Sequence, residues 1–176
     1  MNVLYYFVRI ILIWLLCLLS VLFHELGHAL GYRLSGGKAG WKVIVGSGSK
    51  LFSIRKLTFC WFPAGGYFYP EEELEPTGKT IMTYAGGPFL SLLQAVLYGI
   101  IHFCIPEFVQ PGTSLYDILH PASAFLFYFN FFQFLFTVIP MRYRVVCRGF
   151  ESDGLQIVNL LKHLKTQKRQ PRKEES

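Results

Sequence analysis

Three long stretches of the chain are almost entirely apolar, and shorter polar segments separate them. The first runs from about Val3 to Leu34, the second from about Thr80 to Ile105, and the third from about Leu119 to Ile139. Each is as long as, or longer than, the ~20 residues that a helix needs to cross a bilayer. The pattern therefore predicts an α-helical integral membrane protein with three transmembrane helices.

Small residues interrupt the first two spans at helical spacing. Gly27 and Gly31 in the first span would let another helix approach closely. In the second span, Gly86-Gly87-Pro88 predicts a kink or a similarly tight packing contact.

The segment between the first two spans has a different pattern. Residues 41–45 and 51–59 are rich in β-branched and aromatic side chains, and Gly46-Ser47-Gly48-Ser49 separates them. This composition predicts a small β-hairpin or sheet at the membrane surface. In Pro63-Ala64-Gly65-Gly66-Tyr67, Gly65 and Gly66 would allow a substrate strand to come close, and a simple turn is the equal alternative.

The chain becomes polar and basic after the third span, which Pro140 ends. Residues 141–150 form a basic loop, and Ser152-Asp153-Gly154 begins a short amphipathic helix that continues to about Lys165. Residues 166–176 are polar and charged, which favours a disordered tail. We therefore expect one membrane-embedded domain over residues 1–165, followed by this tail.

Composition supports a membrane protein. The 176 residues are 52% hydrophobic and 17% aromatic, which is too apolar for an ordinary soluble domain. Lysine and arginine number 17 against 11 acidic residues. Because the basic residues are segregated by segment, a lipid surface accounts for them better than nucleic acid does. The four cysteines suggest neither a disulfide framework nor a zinc ribbon.

The distribution of basic residues predicts the orientation. Seven lie from Arg33, at the end of the first span, to Lys79, just before the second; none lies between the second and third spans, and nine follow the third. The positive-inside rule places the 35–79 segment and the C-terminus in the cytoplasm. We expect the membrane to be the plasma membrane. Arg9 is the only charge near the start and no small-x-small cleavage site follows, so we interpret the first span as retained rather than as a signal peptide.

One motif inside the first span carries candidate chemistry. Phe23-His24-Glu25-Leu26-Gly27-His28 matches H-E-x-x-H. On a helix His24 and His28 project from one face, where two imidazoles can bind one zinc ion. Glu25 can then take a proton from a water that the zinc activates. Ionisable groups in hydrocarbon are costly and therefore functional candidates, and the alternative is a polar cluster that only packs helices.

A catalytic zinc needs a third protein ligand from another element. Asp153 and Glu151 lie on the same side of the membrane as the histidines, although an acidic residue at a helix start can serve only as a cap. The acidic run Glu71–Glu75 is a competitor in a highly charged, solvated stretch. The remaining candidates lie at the outer ends of the spans or on the C-terminal helix surface: His102, His120, Glu107, Asp117 and His163.

Taken together, the motifs resemble the site-2 protease family of intramembrane zinc metalloproteases. That family pairs H-E-x-x-H with a later Asp-Gly motif, which Asp153-Gly154 fits. Residues 63–67 resemble its Pro-x-Gly-Gly-Tyr segment, and Gly87-Pro88 resembles the Gly-Pro of its middle core helix. The resemblance covers nearly the whole chain.

The resemblance implies a function and a set of roles. His24, His28 and Asp153 would hold one Zn²⁺ per chain, and Glu25 would be the general base. The implied substrates are membrane-spanning segments of other proteins in the lipid bilayer, with no nucleic acid involved. A catalytically inactive homologue acting as a binding, regulatory or immunity protein is the alternative, and the retained Glu25 argues against it. A zinc-dependent membrane enzyme with a non-peptide substrate is a further alternative.

The chain departs from the family pattern at two polar positions. Thr137 and Ser91 stand where the family often has asparagine, which leaves the source of oxyanion stabilisation unassigned. Asn130 in the third span could supply a polar group there, or it could pack helices.

Overall fold

Within the described part of the chain, four α-helices and a two-stranded sheet form the fold. The computed structural model describes residues 3–143 and 151–169. The sequence-based fold class is confirmed, since three long helices, a small sheet and a C-terminal helix follow one another in the predicted order. The elements are α1 (Val3–Leu34), β1 (Trp41–Ile54), β2 (Leu57–Pro70), a 3₁₀ turn (Gly78–Thr80), α2 (Ile81–Phe108), α3 (Ser114–Val138) and α4 (Asp153–Arg169).

Helices α1, α2 and α3 are long and apolar enough to cross a membrane, as predicted. Helix α3 begins at Ser114, earlier than the hydropathy pattern indicates. The reason is a polar cap, because the side chain of Thr113 accepts a hydrogen bond from the Tyr116 backbone N–H at 3.3 Å. A capping threonine adds a first turn that hydropathy alone does not reveal.

The glycines of α1 bring α2 into backbone contact. A methyl group added to Gly27 would collide with the backbone of Gly86, and one added to Gly31 would collide with the carbonyl of Met82. Only residues without a Cβ allow two helices this close, so the predicted small-residue interface is confirmed. This contact fixes α2 against the H-E-x-x-H turn of α1.

A polar contact joins α1 to α3. Asn130 is fully buried, and its amide Nδ2 donates to the Leu126 carbonyl at 2.8 Å and to Ser20 Oγ at 3.2 Å. Hydrogen bonds of this kind hold neighbouring transmembrane helices together. The sequence left two roles open for Asn130, a polar group at the site or helix packing. These contacts support helix packing.

The sheet reverses at a place that the sequence did not indicate. Strands β1 and β2 pair antiparallel, and the turn is Arg55-Lys56, between the paired residues Ile54 and Leu57. The prediction that residues 46–49 separate two strands was wrong, because these residues lie within β1. Gly46 and Gly48 both have φ of 83°, so they bend the strand and shift its register without reversing it.

This bend folds the tip of the hairpin back on its base. Residues 43–45 are paired twice, once with residues 66–68 and once with residues 57–59. The backbone N–H of Val43 donates to the Lys56 carbonyl at 2.8 Å, next to the turn. The turn therefore lies beside the start of β1.

The sheet packs along α1. Val43 and Val45 on its inner face form a buried cluster with Leu18 and Val21 of α1. Trp14 Nε1 donates to the Trp61 carbonyl at 2.8 Å, nearer the start of the helix. The sheet thus lies beside the middle of a predicted membrane span as well as at its end.

Helix α4 is longer than predicted. It extends to Arg169, so residues 166–169 are helical, and the expectation of disorder was wrong for them. Residues 170–176 of the predicted tail lie outside the described part of the chain, as do residues 144–150 of the predicted basic loop. The N-terminal end of α4 carries Asp153.

Candidate metal centre

The H-E-x-x-H turn is buried at the α1–α2 contact. His24, Glu25 and His28 are each less than 8% exposed. Three ionisable side chains are removed from solvent within a single turn of an apolar helix. Such burial is costly unless the groups are paired or bind an ion.

Helix α2 orients both imidazoles through their Nδ1 atoms. His28 Nδ1 lies 2.7 Å from the Thr83 carbonyl, which can only accept, so Nδ1 must carry the proton. The neutral ring then presents an unprotonated Nε2. His24 Nδ1 lies 2.8 Å from Ser91 Oγ. Hydrogen bonds of this kind fix the ring and the tautomer of metal-ligating histidines.

Asp153 completes a group of three ligand atoms. The His24 and His28 Nε2 atoms are 3.2 Å apart, and each lies 3.5 Å from an oxygen of the Asp153 carboxylate. Among residues 3–143 and 151–169, this is the one group of three or more His, Cys, Asp or Glu side chains that could hold a metal ion. The structure thus brings together the three residues suggested as ligands by the sequence.

The spacing of these atoms fits zinc. A tetrahedral site with metal–ligand distances of ~2.0–2.1 Å has ligand–ligand edges of roughly 3.3–3.4 Å. The three separations here are 3.2, 3.5 and 3.5 Å. With both Nε2 atoms unprotonated, two nitrogens and a carboxylate at these distances would direct lone pairs at one another, and a cation between them would relieve the repulsion.

Strand β2 passes directly over Glu25. A Cβ added to Gly66 would lie 2.6 Å from Glu25 Oε1 and 2.7 Å from the Ile44 carbonyl. Residues 63–67 belong to β2 and do not form a turn, and Gly65 has φ of 74°. Because Gly66 has no side chain, the backbone of β2 can come close to this carboxylate. Glu25 itself lies outside the group of mutually close ligand atoms.

Comparison with protein families identifies the chain. The model of peptidase family M50 matches residues 12–173, which is most of the sequence. The chain belongs to peptidase family M50, the site-2 protease family. Neither the comparison with curated proteins nor the comparison with solved structures gave a match. Membership of this family, with three apolar helices, makes the chain an integral membrane hydrolase of the intramembrane metalloprotease class.

Ser152 holds the Asp153 turn of this M50 peptidase in place. The Ser152 hydroxyl donates to the Ile139 carbonyl at 2.7 Å and accepts from the backbone N–H groups of Met141 and Leu155, at 3.0 and 3.2 Å. One buried side chain thus caps α4 and ties it to the end of α3. Sequence reasoning missed this role, although a serine before the first residue of a helix is an N-cap signal.

Two of the competing carboxylates, those of Glu151 and Glu71, make other contacts. Glu151 Oε1 pairs with Arg142 at 2.7 Å, and its Oε2 accepts from Asn159 at 2.9 Å. The Glu71 carboxylate packs against Gly40. His102 and His120 form a separate ring contact, with centroids 4.1 Å apart.

Gly87 makes room for the Nε2 atoms of His24 and His28 in the M50 peptidase. A Cβ added there would collide with His28 Nε2 and lie 2.7 Å from His24 Nε2. Pro88 follows within α2. The Gly-Pro pair thus lies against the candidate metal ligands.

A Gly87→Ala variant should therefore lose metal affinity on the order of tenfold or more, because the added methyl group occupies the space of a ligand atom. Metal content by elemental analysis after dialysis measures the effect. Gly99→Ala is the matched control in the same helix, since its methyl would meet only the Phe127 ring at 3.3 Å. Equal metal retention in the two variants would contradict this account of Gly87.

Proposed function

We propose that this M50 peptidase is a zinc metalloendopeptidase that cleaves membrane-spanning segments of other proteins, with one Zn²⁺ held by His24, His28 and Asp153. The observation that carries the proposal is the convergence of two histidine Nε2 atoms and a carboxylate at separations of 3.2–3.5 Å in a membrane-embedded helix bundle. The Nδ1 contacts to Thr83 and Ser91 support it, because they direct both Nε2 atoms inward.

Glu25 has the role of general base in this proposal. A bound zinc ion would supply the Lewis-acid chemistry that makes water nucleophilic at neutral pH. The Glu25 carboxylate takes a proton as the water oxygen adds to the peptide carbonyl carbon. It then delivers that proton to the amine nitrogen when the C–N bond breaks. Its burial beside His24 keeps competing bulk water away from this transfer.

Strand β2 is placed to present the substrate. A transmembrane helix must unwind before attack, because its backbone groups are already paired within the helix. Gly65 and Gly66 lie in an extended strand beside Glu25. An unwound segment could add to this strand by β-augmentation, which would hold its backbone extended near the candidate metal ligands.

A comparison of membrane-protein fragments tests the function. Cells that contain wild-type protein should accumulate fragments cut within transmembrane segments, and cells with Glu25→Gln protein should retain the intact precursors. Quantitative proteomics of the membrane fraction measures both. Identical fragment patterns in the two strains would favour the inactive-homologue alternative.

We also propose that the protein lies in the plasma membrane with residues 35–79 and the C-terminus in the cytoplasm. Support comes from the basic residues, which are absent between α2 and α3 and abundant in the other two polar segments. Reporter fusions at Ser176 and within residues 109–113 should report cytoplasmic and extracytoplasmic locations respectively. An extracytoplasmic C-terminus would overturn this orientation.

A further inference from the structure

A basic cleft lies at the folded-back turn of the sheet, and none of the three candidate metal ligands lines it. Its walls carry three cationic side chains and no carboxylate. They are formed by Lys42, Val43, Ile44, Arg55, Lys56, Thr58 and Tyr69. The folded-back turn builds it, since Lys42 pairs with Tyr69 across the strands and Val43 donates to the Lys56 carbonyl.

The cationic groups of this cleft are exposed and not neutralised. Lys42, Arg55 and Lys56 are all solvent-accessible. In the described part of the chain no carboxylate pairs with any of them. Lys56 instead lies over the Trp41 ring, with Nζ 5.0 Å from the ring centroid. The cleft therefore holds three positive charges that an anion could satisfy.

Ring contacts connect the surroundings of the cleft to the end of α1. Trp41 contacts Phe68 at 6.3 Å between ring centroids, and Phe68 contacts Tyr32 at 5.7 Å. Tyr32 lies in the last turn of α1, which ends at Leu34. Tryptophan and tyrosine beside lysine and arginine are typical of the membrane–water interface.

Exposed apolar side chains adjoin the basic ones. Phe52 and Ile54, just before the turn, are 48% and 57% exposed. A soluble anion would gain nothing from these neighbours, whereas acyl chains would cover them. The combination of interfacial depth, three cations and an apolar border matches one class of ligand.

We propose that this cleft binds the phosphate headgroup of an anionic phospholipid through Lys42, Arg55 and Lys56. The apolar side chains before the turn then contact its acyl chains. Ile44, which lines the cleft, has its carbonyl beside Gly66, which in turn contacts Glu25. A bound headgroup therefore holds the paired strands next to Glu25, the candidate general base, without touching the candidate metal ligands.

Native mass spectrometry of the full-length protein in detergent tests the site, with phosphatidylglycerol or phosphatidylcholine as added lipid. The test variant is Lys42→Gln/Arg55→Gln/Lys56→Gln. The control is Lys79→Gln/Lys162→Gln/Lys165→Gln, which removes the same charge at exposed positions outside the cleft. We expect wild type to prefer phosphatidylglycerol. The cleft variant should lose roughly fivefold in that affinity per charge, on the order of 100-fold in total, and the control should lose far less.

Three results would overturn the proposal. These are no preference of wild type for the anionic lipid, equal losses in the two triple variants, and displacement of the lipid by inorganic phosphate at matched concentration, which would indicate a soluble-anion site. An unchanged circular-dichroism spectrum shows that each variant is folded. If the triple variant does not fold, Arg55→Gln against Lys79→Gln decides the question by the same measurement.

Discussion

A Glu25→Gln variant is expected to keep its bound zinc and to cleave a verified substrate ~10²–10⁴-fold more slowly than wild type. The amide has the shape of the carboxylate, so it fits beneath Gly66, but it cannot accept the proton of the attacking water. Zinc should stay because Glu25 lies outside the group of mutually close ligand atoms. Elemental analysis and single-turnover cleavage of the purified protein measure the two effects separately.

Glu151→Gln is the matched control for this prediction. It makes the same chemical change on a carboxylate that pairs with Arg142, away from the histidines. We expect near-wild-type cleavage from it. A Glu25→Gln enzyme that cleaves at the wild-type rate would show that another group takes the proton.

The Asp153→Ala variant is expected to lose both activity and most of its zinc. This change removes one of the three proposed ligands, so its cost should exceed the ~10–100-fold typical of an outer-shell partner. Glu151→Ala should be mild, because a partly exposed ion pair contributes ~0–1 kcal/mol. Zinc content and peptide cleavage, measured on both purified variants, distinguish the two carboxylates.

The competing assignment would appear as a reversed result. The Asp153→Ala variant would then keep its full zinc content and activity, and a change within the Glu71–Glu75 run would abolish both. This result would show that the third ligand lies in that run and not at Asp153. The geometry argues against this outcome, since the Glu71 backbone N–H is bonded to the Gly40 carbonyl and its carboxylate packs against Gly40.

Hydropathy predicted the helices well and the sheet only in part. Long apolar runs allow few structures in a bilayer, so α1, α2 and α3 follow from composition. The hairpin turn did not follow, because Arg55 has a positive φ of 52° that sequence signals rarely assign to arginine. The more obvious Gly46-Ser47-Gly48-Ser49 signal marks a bend within β1.

The sequence predicted those parts of the candidate site that depend on the identity of a side chain. His24 and His28 share a helix face through their spacing alone, whereas Asp153 was suggested by resemblance to a family. The Thr83 contact to His28 uses a backbone carbonyl, which any residue would supply, so no residue type could signal it. Ser91 appeared in the sequence only as a departure from the usual asparagine, and the structure gives it a contact to His24.

The distance along the chain between the candidate ligands has a consequence for biosynthesis. Both histidines lie on α1 and Asp153 begins α4, so more than 120 residues must be translated between them. At ~5–20 residues per second, this interval lasts roughly 6–25 seconds. During it, the nascent chain enters the bilayer with an incomplete ligand set. With the proposed ligand set, the protease would therefore stay inert until α4 docks.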